Sequence, residues 1–361
     1  MAKKQKTPAQ IAAEYEKRIK QAQSQISNQI DQLYNDLINA IVPYAASQTL
    51  PEGTFSLSGL PALNNRIDQL ISALTQKITV VVENGINGMW MLGNDKANTI
   101  ADIRLDGSLI PEGVKVTFYD PNIDALTAFK KETVNGLNLS DRVYNATAQY
   151  EGELEAGLGL GISKGQSAAE MGRDLRQYLK NPDKLFRRVR DEEGNLQLSE
   201  NAKAFHPGTG VYRSSVKNIE RLTVTTTNNA YRKSDTGKYK NMPFVLGYEW
   251  KLSAQHVKCD LCDSMAGEYP VDFVFTGGHP FCICYIVPKL MNDAQFKEYQ
   301  SHVLAGTDTP ENIAKIAPRV KDIPESATTW LTNNAEIISN LKSTPYFWAN
   351  NAKYMPEVPT E

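Results

Sequence analysis

The strongest constraint on the fold is a stripe of apolar residues near the start of the chain. Ile11, Tyr15, Ile19, Ala22, Ile26, Ile30, Leu33, Leu37 and Ile41 follow one another at intervals of 4-4-3 residues, repeated. This is an eleven-residue repeat with 3.67 residues per turn, which keeps the stripe on one face of a nearly straight or slightly right-handed helix. Thr7-Pro8-Ala9-Gln10 supplies its start: Thr7 can accept from an unpaired backbone N–H, Pro8 suits the first helical position and Gln10 can reach back. The helix is expected to stop around Pro43. A second stripe, Leu63, Ile67, Leu70, Leu74, Ile78 and Val81, has 4-3-4-4-3 spacing and follows a Gly/Pro/Ser-rich turn at Pro51 to Pro61. Two long helices joined in this way predict an antiparallel hairpin or a bundle. Such stripes chiefly form core, and packing on another chain is the alternative use of the same pattern.

Beyond this region the periodicity changes. Between Ala101 and Ala125 turn residues flank a short β-like run, Val114 to Tyr119. Helical character returns from Ile123 to Ala156. GLGLGISKGQSAAEMGRDLRQYL reads as a glycine-rich turn followed by an amphipathic helix capped by Ser167. Its glycines, Gly157, Gly159, Gly161 and Gly165, do not make a nucleotide loop: no strand-like run precedes them, the G-x-G-x-x-G spacing is not met and no Gly-Lys-Ser/Thr follows. Further on, Ala294 to Val303 reads as a helix, and Thr309-Pro310-Glu311 opens another in the manner of Thr7-Pro8. The aromatic, proline-bearing end STPYFWANNAKYMPEVPTE has no helical period, so its rings either tuck onto the body or dock a partner.

Composition excludes several classes. With 41% hydrophobic and 22% charged residues there is material for a core and no case for global disorder. No apolar run approaches the ~18 residues of a membrane span, and MAKKQKTPAQ has no apolar segment behind its lysines, so no secretory leader is expected. A net charge of −2 argues against wholesale coating of nucleic acid. Locally the balance differs: from Met171 to Lys240 there are fifteen Lys/Arg against eight Asp/Glu. The densest part, Lys184, Arg187, Arg188 and Arg190, is a candidate phosphate contact, although charged helix faces more often simply meet water.

All four cysteines fall in KCDLCDSMAGEYPVDFVFTGGHPFCICYIVPKL, which begins at Lys258. That is too few for a disulfide scaffold, and the clustering points to a metal in a reducing compartment. Cys259-x-x-Cys262 is a standard half of a tetrahedral site. The second half offers three candidates, His279, Cys282 and Cys284. In an extended segment Cys282 and Cys284 face the same side, whereas a turn at Pro280 lets His279 pair with Cys282. The readings left open are four cysteine ligands, His279 in place of one of the last two, or no metal at all, with free thiols or an opportunistic disulfide. Catalysis is poorly supported, because the chain contains neither H-E-x-x-H nor the H-x-E partner of a deaminase P-C-x-x-C. A structural clip holding zinc is the expectation.

The order Trp250, Cys259, Cys262, Gly267, His279-Pro280, Cys282, Cys284, Pro288 resembles the phage Mu F-like minor head proteins, the phage head morphogenesis family, in the versions carried by Bacteroidetes phages and prophages. Upstream, Gly165-Gln166-Ser167, Arg221, Ala230-Tyr231 and the tryptophan-bearing segment Ile86 to Asn98 are similar to that family, as is the tail with Trp330, Asn333-Asn334 and Pro345-Tyr346-Phe347. One departure is Val224-Thr225-Thr226, where family members carry Arg-Thr-Glu. It removes an arginine and a carboxylate together, and an enzymatic role becomes still less expected.

The resemblance implies a structural minor head protein acting near the portal or inner capsid and assisting DNA packaging or delivery. The implied partners are the portal protein, major capsid or scaffold proteins and packaged DNA, with several copies in the virion, assembly in the host cytoplasm and no membrane. The rival readings are a zinc-stabilised DNA-binding protein and an effector or toxin-type enzyme carrying such a domain. The expected fold is mainly α, with a small α+β module clipped by the cysteines, a long N-terminal helical hairpin or bundle and an extended helical C-terminal tail. The expected division is 1–140 as N-terminal helical region, 141–290 as head morphogenesis domain and 291–361 as tail.

Overall fold

The structure is a computed structural model that describes residues 6–50, 56–181, 188–190, 192–194, 196–198, 214–256, 258–341 and 343–357. It is mainly helical, with a small antiparallel sheet. The elements in order are α1 (Pro8–Ala45), α2 (Pro61–Leu105), α3 (Glu112–Lys115), α4 (Ile123–Lys130), α5 (Leu139–Ser163), α6 (Ala168–Lys180), β1 (Arg188–Arg190), β2 (Leu196–Leu198) and α7 (Ser215–Lys240). There follow β3 (Val245–Lys251), α8 (Asp260–Met265), β4 (Gly267–Tyr269), β5 (Tyr285–Leu290), α9 (Asp293–Ala305), α10 (Pro310–Ile316), α11 (Glu325–Ser339) and α12 (Tyr346–Ala349). No helix among the described residues is long and apolar enough to cross a membrane.

The two long helices form where the stripes place them. Thr7 and Gln10 make the reciprocal cap, with the Gln10 N–H 3.3 Å from Thr7 Oγ1 and the Thr7 N–H 3.0 Å from Gln10 Oε1. Pro43 lies inside the last turn of α1, which runs two residues past the expected stop. The chain divides into two compact units: Met1–Gln23, Gly85–Lys130 and Val224–Glu361 form one, and Ser24–Asn84 with Lys131–Thr223 forms the other.

In the first unit α1 and α2 run antiparallel. Tyr15 donates to Asp95 and lies 3.0 Å from Thr99 Oγ1, while Ile19, one turn further on, packs with Met89 and with Tyr231 of α7. Gly93 is required by this packing, because a Cβ there would run into the Tyr231 carbonyl. Below lies the sheet, in the order β4-β3-β5, with both pairings antiparallel and Trp250 opposite Ile286 and Gly267. Aromatic residues dominate the core around it: Tyr248, Trp250, Tyr269, Phe273 and Phe275 are buried together, with Phe275 edge-on to Trp250 at 4.7 Å. The C-terminal aromatics tuck onto this body. Phe347 is buried, and Asn351 spans the backbone of Val274, accepting from its N–H at 2.6 Å and donating to its carbonyl at 2.9 Å.

Buried charged and polar side chains tie these layers together in the interior. Lys96 of α2 donates to Asp235 of α7 at 2.6 Å and to the Ile286 carbonyl of β5 at 3.2 Å, and both charged side chains are 1% exposed. Burial raises the Asp235 pKa, and Lys96 opposes that shift. Two residues before Lys96 in α2, Asn94 donates to Ser234 at 2.8 Å.

The second unit corrects two of the expectations. Gly157, Gly159 and Gly161 lie inside α5, and the turn is confined to the residues after Ser163, with Gly165 at φ +65°. The helix continues because α6 lies against its glycine face: a Cβ on Gly157 would approach Leu175 Cδ2 to 2.6 Å, and one on Gly161 would approach Met171 Cγ to 2.7 Å. These glycines serve close helix packing, and Ser167 caps α6 as expected, with Glu170 completing the box. The helical character expected from Ile123 to Ala156 is divided between α4 and α5 by a turn in which Asn135 and Gly136 have positive φ. Elsewhere, the run Val114 to Tyr119 is not a strand. It forms the end of α3 and a 3-10 turn (Val116–Tyr119). A helical turn puts Val114 and Phe118 on one side, where both reach the core, while Thr117 hydrogen-bonds back to the Val114 carbonyl.

At the start of α7 in the second unit sits a buried carboxyl. Glu153 of α5 is 6% exposed and accepts from the Ser215 N–H at 2.7 Å and from Gln149 at 3.2 Å. It thereby satisfies one of the donors that a helix start leaves open. Tyr34 lies 2.5 Å from Ser215 Oγ and edge-on to Tyr150 at 4.8 Å. Burial pushes the Glu153 pKa up to about 8, against the lowering effect of the Ser215 N–H.

Two predictions follow from these buried groups. Because the folded state holds the Glu153 proton more tightly than the unfolded chain, its stabilising contribution is complete below the ordinary glutamate range. It is lost as pH rises to about 8. Glu153→Gln keeps the acceptor and removes the charge, so denaturant unfolding between pH 5 and 9 is expected to show a flatter decline in the variant; parallel curves would refute this. Lys96→Met is expected to destabilise by about 3–5 kcal/mol by leaving Asp235 buried and unpaired, with most of that recovered in Lys96→Met/Asp235→Leu. Urea unfolding of the set decides it.

Candidate metal centre

The cysteine site is built on the ends of the sheet in the first unit. After β3 the chain loops to Cys259, which stands in extended conformation directly before α8, so Cys262 falls in the first turn of that short helix. Asp263 holds the loop: its carboxylate accepts from the Cys259 N–H at 3.1 Å and lies 2.9 Å from His256 Nε2. The second segment turns at His279-Pro280-Phe281, with the Cys282 N–H donating to the His279 carbonyl at 3.1 Å. Phe281 has φ +59°, a left-handed conformation that costs a non-glycine residue about 1–2 kcal/mol. This turn delivers Cys282, and Cys284 follows immediately before β5.

Two overlapping ligand sets result. Cys262, Cys282 and Cys284 are 0%, 1% and 2% exposed, and their sulfurs lie within 4.8 Å of one another. Cys262, Cys259 and His279 form the other set, again within 4.8 Å, with Cys259 half-buried and His279 exposed. Cys262 is common to both. The Cys262–Cys282 sulfur separation is 3.9 Å, close to the roughly 3.8 Å between two thiolates bound tetrahedrally at ~2.3 Å to one ion. The expectation that Cys282 and Cys284 face one side is met, and the Pro280 turn is present as well. That turn groups His279 with Cys259 and Cys262, not with Cys282. His279 Nδ1 lies 2.7 Å from the Pro280 carbonyl, so this nitrogen carries the proton and Nε2 keeps its lone pair for a ligand. The cysteine cluster is therefore compatible with a bound metal ion.

Protons are shared unevenly among the buried thiols. The hydrogen bond with Cys282 pushes the Cys262 thiol up. Cys282 is held below the usual range by hydrogen bonds from Cys262 and Cys284, with the Arg232 charge adding to the effect.

Arg232 and Lys96 are the residues that the sequence reading missed. Arg232 of α7 is 7% exposed and donates to the carbonyls of Thr276 and Cys282, each at 2.6 Å, and of Cys284 at 3.0 Å. The available signal was its position directly after Ala230-Tyr231. A cleft of about 20 Å³, room for roughly one water molecule, opens beside it between Glu16, Lys20, Lys96, Asp235 and Cys282 to Ile286. Burial pushes Glu16 in its wall up to about 7, against nearby Lys96 and Arg232. On the far side Trp330 of α11 donates to Asp260 of α8 at 2.6 Å.

The basic cluster is only partly visible. Lys184 and Arg187 lie outside the described residues, and of Arg188 only the backbone, in β1, is described. Arg190 is exposed and donates to the Gly194 carbonyl at 2.6 Å. No family model matches the chain, and no curated protein or solved structure matches it.

The shared position of Cys262 makes the two ligand sets separable. Cys262→Ser is expected to abolish metal retention whichever set binds. Cys284→Ser weakens it only if the buried set is used, and His279→Ala weakens it only if His279 is a ligand, in the exposed set or as the fourth ligand beside the buried one. Metal content of the purified variants by mass spectrometry reads the difference.

Proposed function

We propose that this chain is a structural component of a tailed-phage head, and that its cysteine module is stapled by zinc. The observation that carries the reading is the burial of three sulfurs inside the aromatic core, under Arg232 and beside the α11 helix. A zinc ion with all its positions filled by protein serves as a strut, whereas a catalytic zinc keeps one position open to water or substrate. Thiolate ligands favour zinc among the abundant divalent ions, in preference to magnesium or calcium. The ion would supply charge and four-way attachment, and Cys262 would hold it together with Cys282 and Cys284 and a fourth ligand from Cys259 or His279.

The phage reading is supported by the motif residues themselves. Trp250, Cys262, Cys282 and Cys284 belong to one packed core, and Pro288 stands in β5 opposite Tyr248 of the same sheet. A head component of this kind would sit near the portal or inner capsid and assist packaging or delivery of DNA, with portal, capsid or scaffold proteins as partners. It would act in assembly, not as an enzyme.

Purified virions or procapsids of the phage that encodes the chain are expected to contain it, with stoichiometric zinc in the isolated protein. Proteomic and elemental mass spectrometry of the same preparation measures both. Absence of the chain from particles overturns the head assignment, and absence of zinc from protein prepared without chelator overturns the staple.

A further inference from the structure

Arg232 is an unusual residue to bury. Its guanidinium sits inside the first unit with 7% exposure, and its hydrogen bonds run to the backbone carbonyls of Thr276, Cys282 and Cys284. The group also lies 4.8 Å over the Phe275 ring. Carbonyls orient a guanidinium without neutralising it, so its charge remains available to whatever lies next to it.

The ligand loop is shaped around this side chain. Gly277 has φ +79°, and a Cβ there would run into Arg232 Nη1 and approach Cys282 Cβ to 2.9 Å and its sulfur to 3.0 Å. Gly278 is packed as closely: a Cβ there would lie 3.0 Å from Leu261 and 3.2 Å from the Cys262 sulfur. Both glycines permit the loop to close over the arginine on one side and the sulfurs on the other.

We infer that Arg232 is the positioning residue of the cysteine site: its fork fixes the spacing of Cys282 and Cys284, and its charge offsets that of a thiolate–metal centre. The inference rests on the proposed metal staple. A divalent ion with four thiolates carries a net charge of −2, and with three thiolates and an imidazole −1. Placing either in an aromatic core is unfavourable without a positive group at hand. The two Nη2 bonds, to the carbonyls of Cys282 and Cys284, straddle Ile283 and fix the backbone from which both sulfurs project. Outer partners of this kind typically change metal affinity 10- to 100-fold when removed.

The test uses the full chain in three forms: unaltered, Arg232→Lys and Arg232→Gln. Zinc affinity is measured by competition with a chromophoric chelator, and the cobalt(II)-loaded proteins are compared by absorption spectroscopy. Thiolate-to-cobalt bands are expected in all forms that bind. Arg232→Gln is expected to bind zinc 10- to 100-fold more weakly and to shift the cobalt bands. Arg232→Lys keeps the charge and loses the fork, so its affinity should fall between the two. Unaltered zinc affinity and an unaltered cobalt spectrum in Arg232→Gln overturn the inference while leaving the staple standing. A parent chain that binds no zinc overturns both. Should Arg232→Gln fail to fold, Arg232→Lys decides alone: unchanged affinity and spectrum reject a role for the fork.

Discussion

The first unit depends on a buried ion pair that serves three elements at once. Lys96 reaches from α2 to Asp235 of α7 and also to the Ile286 carbonyl of β5. Two charges removed from water are unfavourable unless each is well matched, and this pair is matched by a short contact and a backbone acceptor. The constraint is directional in a way that apolar packing is not. It fixes the rotation of α2 and α7 about their axes and the height of β5 against them, which sets where the chain leaving Cys284 enters the sheet. Arg232 stands three residues before Asp235 on the same helix, about one turn away. One face of α7 therefore carries both the group that anchors β5 and the group that holds the loop before it.

The parts of this arrangement that follow local rules were legible in the sequence. The 4-4-3 stripe from Ile11 to Ile41 yields α1, and the caps at Thr7, Ser167 and Thr309 form as their residue types dictate. The alternation of Cys282 and Cys284 also gave a correct side, since two residues apart in an extended stretch share a face. Each of these depends on residues within a few positions of one another. The errors arose where a distant partner decides. Glycines at 157, 159 and 161 look like a turn until α6 is laid against the helix and leaves no room for side chains at 157 and 161. Val114 to Tyr119 has strand-forming residues but pairs with no strand among the described residues, and the burial of Phe118 favours a helical turn. Lys96 and Arg232 sit in polar stretches that read as solvent-facing, and only the tertiary structure shows that their charges are internal.

The candidate site was legible in composition but not in arrangement. Four cysteines and a histidine within a few lines of sequence announce a ligand set, yet three candidates for two places cannot be ordered by spacing alone. The structure orders them by burial. Cys262 stands at the junction, the sulfurs of Cys282 and Cys284 lie beneath it, and Cys259 and His279 lie toward solvent. The distinction arises from the left-handed turn at Phe281, a conformation that residue type argues against and that the sequence therefore does not advertise.

That turn gives the proposed staple a structural reason. The sheet has three strands, of which β4 is three residues long, and the segments that carry the cysteines are mostly loop. So small a sheet needs packing from outside to hold its shape, and a left-handed phenylalanine persists only where its surroundings fix it. Three such supports converge on the cysteine loops. Arg232 binds the carbonyls from within, Asn351 clasps Val274 from the C-terminal segment, and Trp330 ties α11 to Asp260. An ion bound by Cys262 and the sulfurs of the second loop would be a fourth, joining two segments that neither the sheet nor the helices join directly. Its attachment would act across the same loop that Arg232 holds by its backbone. With the proposed ion bound, ligand geometry and backbone geometry would be constrained from opposite sides, which is the arrangement expected of a rigid structural centre.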